Sequence, residues 1–189
     1  MVTVNESVCG FVQTNPRQVK RNGESYEQTR VFAHRVLKLA VFTYRRLEKH
    51  DQTARLLRDV MDFMLRRYHG YCIKENIGAH YREVGVAKKD CDFEHVIPAN
   101  LARELMLANR LTIEQAMNIP TCLLRKSKHR KLNSTKLGKQ TPDIVNFWNR
   151  YTQVFPDIKL ETHNGIQVDT HNWDLEQHYK FFNISTKVN

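Results

Sequence analysis

Two stretches of helical hydrophobic spacing, separated by a short polar link, constrain this chain more than any other feature. From Tyr26 to about Lys49 the residues Ala33, Val36, Leu37, Ala40, Val41, Tyr44 and Leu47 recur at three- and four-residue intervals. Arg35, Lys38, Arg45 and Arg46 fall outside that stripe, which predicts an amphipathic helix. Phe32, Leu39 and Phe42 also lie off it and imply burial on more than one side. A second helix is predicted from about Asp51 to Tyr68, with Leu56, Leu57, Val60, Met61, Met64 and Tyr68 on its stripe. Asp51 is placed to cap it, and Gly70 follows its end. A link this short favours an antiparallel helical hairpin. The Met and aromatic positions are those such a hairpin needs for packing, so they read as core.

The chain has 189 residues, enough for one domain with a real core or a core plus a small appendage. With 41% hydrophobic and 26% charged residues, a largely disordered chain is excluded. No apolar run approaches the ~20 residues of a membrane span. Met1 to Glu6 lacks a basic region followed by an apolar run, so no secretory signal is expected. The first twenty-five residues, with Gly10, Pro16 and the polar run Arg17 to Gly23, read as an irregular arm. Cys9, Cys72, Cys91 and Cys122 are far apart with no CxxC, which reads as isolated thiols rather than a disulfide framework or a zinc site.

Beyond the hairpin the character changes. Cys91 to Ile97 reads as a strand stopped by Pro98. Asn100 to Arg110 is helix-prone, and Thr112 to Gln115 reads as a capping box opening a short helix ended by Pro120. Thr121 to Arg125 is again strand-like, and Ser127 is a natural N-cap for a helix from Lys128 to about Lys136, closed by Gly138. Thr141-Pro142-Asp143 predicts a further helix with Ile144, Phe147, Trp148, Tyr151 and Phe155 on its inner face. Leu160 to Val168 alternates around Asn164-Gly165, a hairpin signal, and a last helix is predicted over 173–182.

The formal net charge of +10 is concentrated. Residues 121–140 hold Arg125, Lys126, Lys128, Arg130, Lys131, Lys136 and Lys139 with no acid among them. A block like this attracts polyanions through counterion release, or else forms a solvated basic face.

Residues 90–136 therefore read strand, insertion, strand, helix, with Glu94-His95 ending the first strand and His129 in the first turn of the helix. This resembles the HNH (ββα-metal, His-Me finger) nuclease family. Phe93-Glu94-His95-Val96-Ile97-Pro98 is similar to that family's acid-His-apolar-apolar-Pro opening, and Leu123 to Lys131 to its closing strand and helix. The resemblance covers about 45 of the 189 residues. It implies an α+β, mostly helical fold: an HNH-like ββα-metal core at 71–140 with a helical insertion, flanked by the arm and hairpin at 1–70 and by a helix, hairpin and helix at 141–189, all in one compact unit.

The chemistry follows from the residue types. Phosphodiester hydrolysis needs a base near neutrality to deprotonate water, and a cation on the phosphate and leaving oxygen. By resemblance, His95 is the general base, and Glu94, His129 and Asn133 are ligands of a divalent ion, Mg2+ first and Mn2+ as the alternative. Arg125, Lys126, Lys128, Arg130 and Lys131 would hold the nucleic-acid backbone, aided by the free amides of the helix start. Pro120 stands where the family's central Asn is expected, with Asn118 two residues earlier, so the turn is reshaped or another group orients His95. The expected function is a metal-dependent endonuclease acting on DNA in preference to RNA. The alternative is a non-catalytic nucleic-acid-binding or protein-interaction module with a degenerate core. A homodimer is the simplest way to cut both strands of a duplex, no membrane partner is expected, and the family's frequency in phages points to a cytoplasmic setting, the host's if phage-encoded. His163, His171 and His178 fit no common metal-site spacing.

Overall fold

Ser25 opens the first helix through a reciprocal box: its hydroxyl accepts from the Gln28 amide, and the Gln28 side chain accepts from the Ser25 amide. The computed structural model describes residues 25–48, 51–138 and 140–185. Residues 1–24 of the predicted arm 1–25, with Cys9, and Lys139 lie outside the described residues, and the arm's last residue, Ser25, is instead the cap of the first helix. Helix α1 (Tyr26–Tyr44) buries Ala33, Leu37, Ala40 and Val41. Helix α2 (Gln52–Tyr68) starts at Asp51, whose carboxylate accepts from the Thr53 amide, and buries Met61, Met64, Leu65 and Tyr68. These faces meet in one core as the predicted hairpin. The expectation of a second buried side of α1 fails: Phe32, Leu39 and Phe42 are 54%, 66% and 54% exposed, because α2 covers only the opposite stripe. On α2, Leu56 and Val60 are likewise exposed.

Gly70 does not end α2. The helix runs on as a π-helical turn, His69–Lys74, which buries His69, Tyr71, Cys72 and Ile73. Strands β1 (Tyr81–Glu83) and β2 (Cys91–His95) follow, then α3 (Ala99–Leu107) and α4 (Ile113–Met117), the latter with the predicted Thr112–Gln115 capping box. Strand β3 (Thr121–Arg125) leads directly into α5 (Lys126–Asn133). This start is earlier than predicted, with Arg125 as cap residue and Ser127 inside the helix, since the strand feeds straight into the first turn.

The predicted helix from Thr141 shrinks to one turn, α6 (Asn149–Thr152). Its capping signals are diverted. The Thr141 hydroxyl donates to the Val96 carbonyl, and Asp143 folds on itself by accepting from the Val145 and Asn146 amides. Its aromatic residues Phe147, Trp148 and Tyr151 are still fully buried. Strands β4 (Leu160–Thr162) and β5 (Gln167–Val168) form the predicted hairpin, with Gly165 at φ +88° in the turn. Helix α7 (Leu175–Phe181) closes the described chain.

The fold is α+β with helices predominating. Its mixed sheet has the order β2-β3-β1-β4-β5; β1 runs parallel to β3 and the other pairs are antiparallel. In the β2–β3 pair, Glu94 sits opposite Cys122 and His95 opposite Thr121. Among the described residues no helix is long and apolar enough to cross a membrane, and Cys72, Cys91 and Cys122 are free thiols.

Candidate functional site

Strand β2 sorts its side chains by parity, as a pleated strand must. Asp92 and Glu94 project to one face and meet α5; Phe93 and His95 project to the other and meet the π-helical turn. The antiparallel β2–β3 pair and the helix that directly follows it therefore set one side of the site.

On the α5 side, His129 is the hub. Its Nδ1 lies 3.0 Å from Asp92 Oδ2 and its Nε2 lies 2.8 Å from Glu94 Oε2. Asn133, one helical turn on, places its side-chain amide 3.0 Å from the same Nε2. Glu94, His129 and Asn133 are thus brought together as the sequence spacing suggests. Asp92 joins them, a residue the sequence reading passed over, although its position two before Glu94 places it on the same strand face. The ring is four-fifths buried and Glu94 is 12% exposed, whereas Asp92 and Asn133 lie toward solvent.

Arg150 of α6 fixes the carboxylate from behind. Its Nη2 donates to Glu94 Oε1 at 2.6 Å and to the Gly138 carbonyl at 2.8 Å. Nη1 donates to the carbonyls of His95 and Val96, and Nε to that of Leu137. The guanidinium is 1% exposed, and such a buried charge is tolerable because a carboxylate and four carbonyls meet its donors. Glu94 is thereby left with one oxygen, Oε2, directed at His129.

The donor chemistry of this cluster suits a cation. A neutral imidazole donates from one nitrogen only. Both ring nitrogens face carboxylate oxygens, Nδ1 that of Asp92 and Nε2 that of Glu94, so a single ring hydrogen meets only one of them. Two acceptors that close need a positive species between them, either a proton or a metal ion. A histidine whose far nitrogen is held by a carboxylate is the usual arrangement behind a metal-bound imidazole. Glu94 Oε2 and His129 Nε2 are few, which fits a hard divalent ion that keeps most of its water; Asn133 presents Nδ2 to Nε2 and would add an oxygen only with its amide turned over. Among the described residues no group of three or more His, Cys, Asp or Glu is set to hold a metal ion.

On the other face, His95 packs its ring 4.9 Å from that of His69 and 5.3 Å from that of Phe93. Its Nε2 lies 3.0 Å from His69 Nδ1. Burial, with Arg66 and Arg150 nearby, lowers its pKa to about 4, so it is neutral at pH 7. Burial pushes His69 well down too. No direct contact joins His95 to Glu94 or His129 among the described residues; Arg150 touches both sides of the strand through the Glu94 carboxylate and the His95 carbonyl. Pro120 gives its carbonyl to the Val96 amide, and Asn118 is buried against Tyr68 and Glu114, so neither orients the His95 ring. His69 is the residue in contact with the His95 ring, and no local sequence signal marks it.

The basic residues at the end of β3 and along α5 divide. Arg125, Lys126, Arg130 and Lys131 are exposed, whereas Lys128 is drawn to the buried Glu83 carboxylate at 2.8 Å, which Arg125 also reaches at 3.6 Å. Lys126 donates to the Lys89 carbonyl. Lys128 and Lys131 both stand over the Phe155 ring, at 5.5 and 5.6 Å. The C-terminal histidines do not converge on a site: His178 is buried between the Tyr81 hydroxyl and the Asn118 carbonyl. No protein-family model, no curated protein and no solved structure matches this chain.

Proposed function

We propose that this chain is a metal-dependent endonuclease with an HNH-like core, hydrolysing phosphodiester bonds in nucleic acid, with double-stranded DNA as the preferred substrate. The observation that carries the reading is the close pair His129 Nε2 and Glu94 Oε2, 2.8 Å apart, with Asn133 Nδ2 3.0 Å from the same nitrogen, on a strand-strand-helix unit bearing exposed Arg and Lys. A magnesium-class ion held by Glu94, His129 and Asn133 supplies positive charge to the phosphate and leaving oxygen. Asp92 holds His129 by Nδ1, and Arg150 holds Glu94 by Oε1, so neither ligand has to reorganise. His95, neutral at pH 7, is the base that takes a proton from the attacking water. Arg125, Lys126, Arg130 and Lys131 lie along the helix that would follow the backbone phosphates. The same proposal places the protein in the cytoplasm, the host's if phage-encoded.

A second reading has one observation in its favour: Glu94 and Asp92 both already face cationic or cation-capable partners, so the cluster also satisfies a purely structural ion network in a non-cutting binding module. Supercoiled plasmid incubated with Mg2+ or Mn2+, and separately with EDTA, separates the two. The nuclease gives metal-dependent nicking or linearisation that falls by at least about 100-fold in His95→Ala, while DNA retention on a gel persists. Retained cleavage by His95→Ala in saturating metal removes the proposed base. Plasmid left intact by the native chain, but retarded at low salt with or without EDTA, selects the binding module.

A further inference from the structure

We propose that His69 is a positioning residue for His95, holding that ring in the tautomer with its hydrogen on Nε2 and leaving Nδ1 as the proton acceptor. The use made of that nitrogen rests on the nuclease reading above; the tautomer does not.

The argument is one of donors and acceptors. His69 opens the π-helical turn His69–Lys74 and is completely buried. Its Nε2 lies 2.9 Å from the Met117 carbonyl oxygen, a group that only accepts. A neutral His69 ring therefore carries its hydrogen on Nε2, and its Nδ1 has the lone pair. That lone pair faces His95 Nε2 at 3.0 Å, so His95 must donate from Nε2. The reverse pair of tautomers would set a ring lone pair against the Met117 carbonyl at 2.9 Å and is excluded. His95 Nδ1 is then the basic nitrogen, and it has no hydrogen-bond partner among the described residues. The edge of Phe93 and the tilted His69 ring hold the plane of the His95 imidazole, so both its rotation and its tautomer are set. A second-ring partner does for His95 what a carboxylate does behind many bases, without placing a negative charge there. The irregular helix that supplies it is of a kind often found beside functional sites.

Long-range 1H–15N correlation spectra of the 15N-labelled full chain read the tautomer directly, with His95 identified by the signals lost in His95→Ala. The native chain is expected to show His95 with hydrogen on Nε2. His69→Asn, whose Oδ1 can stand in for Nδ1 as acceptor, keeps that pattern. His69→Phe keeps a ring but no acceptor, and His95 then mixes both tautomers. Magnesium-dependent nicking by His69→Phe falls about 10- to 100-fold in kcat with KM for plasmid unchanged, and His69→Asn recovers most of it. A native His95 with hydrogen on Nδ1 overturns the proposal, as does a folded His69→Phe in which His95 keeps the native pattern. If His69→Phe fails to fold, the native and His69→Asn spectra decide alone. Absence of cleavage by the native chain, together with the expected His95 pattern, overturns the nuclease reading and leaves the positioning role standing.

Discussion

His129 and His178 each engage two partners through both ring nitrogens, and the partners differ in kind. His178 lies between the Tyr81 hydroxyl, 2.7 Å from Nδ1, and the Asn118 carbonyl, 2.8 Å from Nε2. One hydrogen satisfies it: Nε2–H donates to the carbonyl and Nδ1 accepts from the phenol. Nothing more is required, and the ring sits fully buried and neutral among Tyr81, Phe147 and Phe182. His129 lies between two carboxylates on the partly open side of β2, where one hydrogen is not enough. The first site is closed by one hydrogen, and the second needs either a second hydrogen on the ring or a bound cation. Counting donors against acceptors separates a structural histidine from a candidate ligand where burial and contact number alone would not.

The comparison breaks hardest if the carboxylate side is only a passive surface. Arg150 is what makes it otherwise, since it holds Glu94 Oε1 from the interior. Arg150→Met leaves Glu94 and four carbonyls without their donor and should cost about 3–5 kcal/mol in urea unfolding. A loss below about 1 kcal/mol would mean that Glu94 is held by water instead, and the ligand geometry inferred from it would fall.

A smaller effect sharpens the same contrast. If the His129 side takes a divalent ion, Mg2+ or Mn2+ at 100 times its dissociation constant should stabilise the fold by about 2.7 kcal/mol. Thermal unfolding would show this shift in the native chain and in His178→Phe, but not in Glu94→Gln or His129→Ala. A shift that survives both latter variants would place the ion elsewhere.

Acid acts on the other member of the comparison. Burial lowers the His178 pKa to about 3, whereas an unfolded histidine titrates near 6.5. Between those values the unfolded chain binds a proton that the folded ring refuses. The contribution is therefore fully present above about pH 6.5, falls by about 1.4 kcal/mol per unit as pH drops, and stops falling below about 3. His69 and His80 are shifted in the same direction by burial, so they add to the slope. Urea titrations at pH 7 and pH 5 should show His178→Phe losing less stability on acidification than the native chain. An unchanged slope would mean that His178 is not held neutral.

What was legible in the sequence follows the range of the forces involved. Asp51, Thr112 and the Asn164-Gly165 pair act on amides within a few residues, so the starts of α2 and α4 and the β4–β5 turn can be read locally. The Thr141-Pro142-Asp143 signal is equally local, but a carbonyl 45 residues away took the Thr141 hydroxyl. Strand β1 is three residues long and owes its existence to β3 on one side and β4 on the other, which no window of sequence contains. The site divides in the same way. Glu94, His129 and Asn133 are carried by a spaced motif, whereas His69 lies 26 residues from His95 and Arg150 lies 56 from Glu94. Both arrive only through tertiary packing, His69 on the irregular end of α2 and Arg150 on a helix of one turn.

The lysines of α5 extend the rule from histidines to cations, with the smallest expected effect. Lys128 is already committed to the buried Glu83 carboxylate at 2.8 Å, while Lys131 is exposed beside the Phe155 ring. A cation occupied by a buried acid releases few counterions when a polyanion docks; an exposed one releases about one per phosphate contact. Lys131→Ala should therefore reduce the slope of log affinity against log salt by about 0.9 in DNA binding. Lys128→Ala should leave that slope nearly unchanged and lower the urea midpoint, because Glu83 loses its closest cation. Equal slopes for the two variants would mean that Lys128 leaves Glu83 for the phosphate, and that partners in the free protein do not decide which charges the nucleic acid meets.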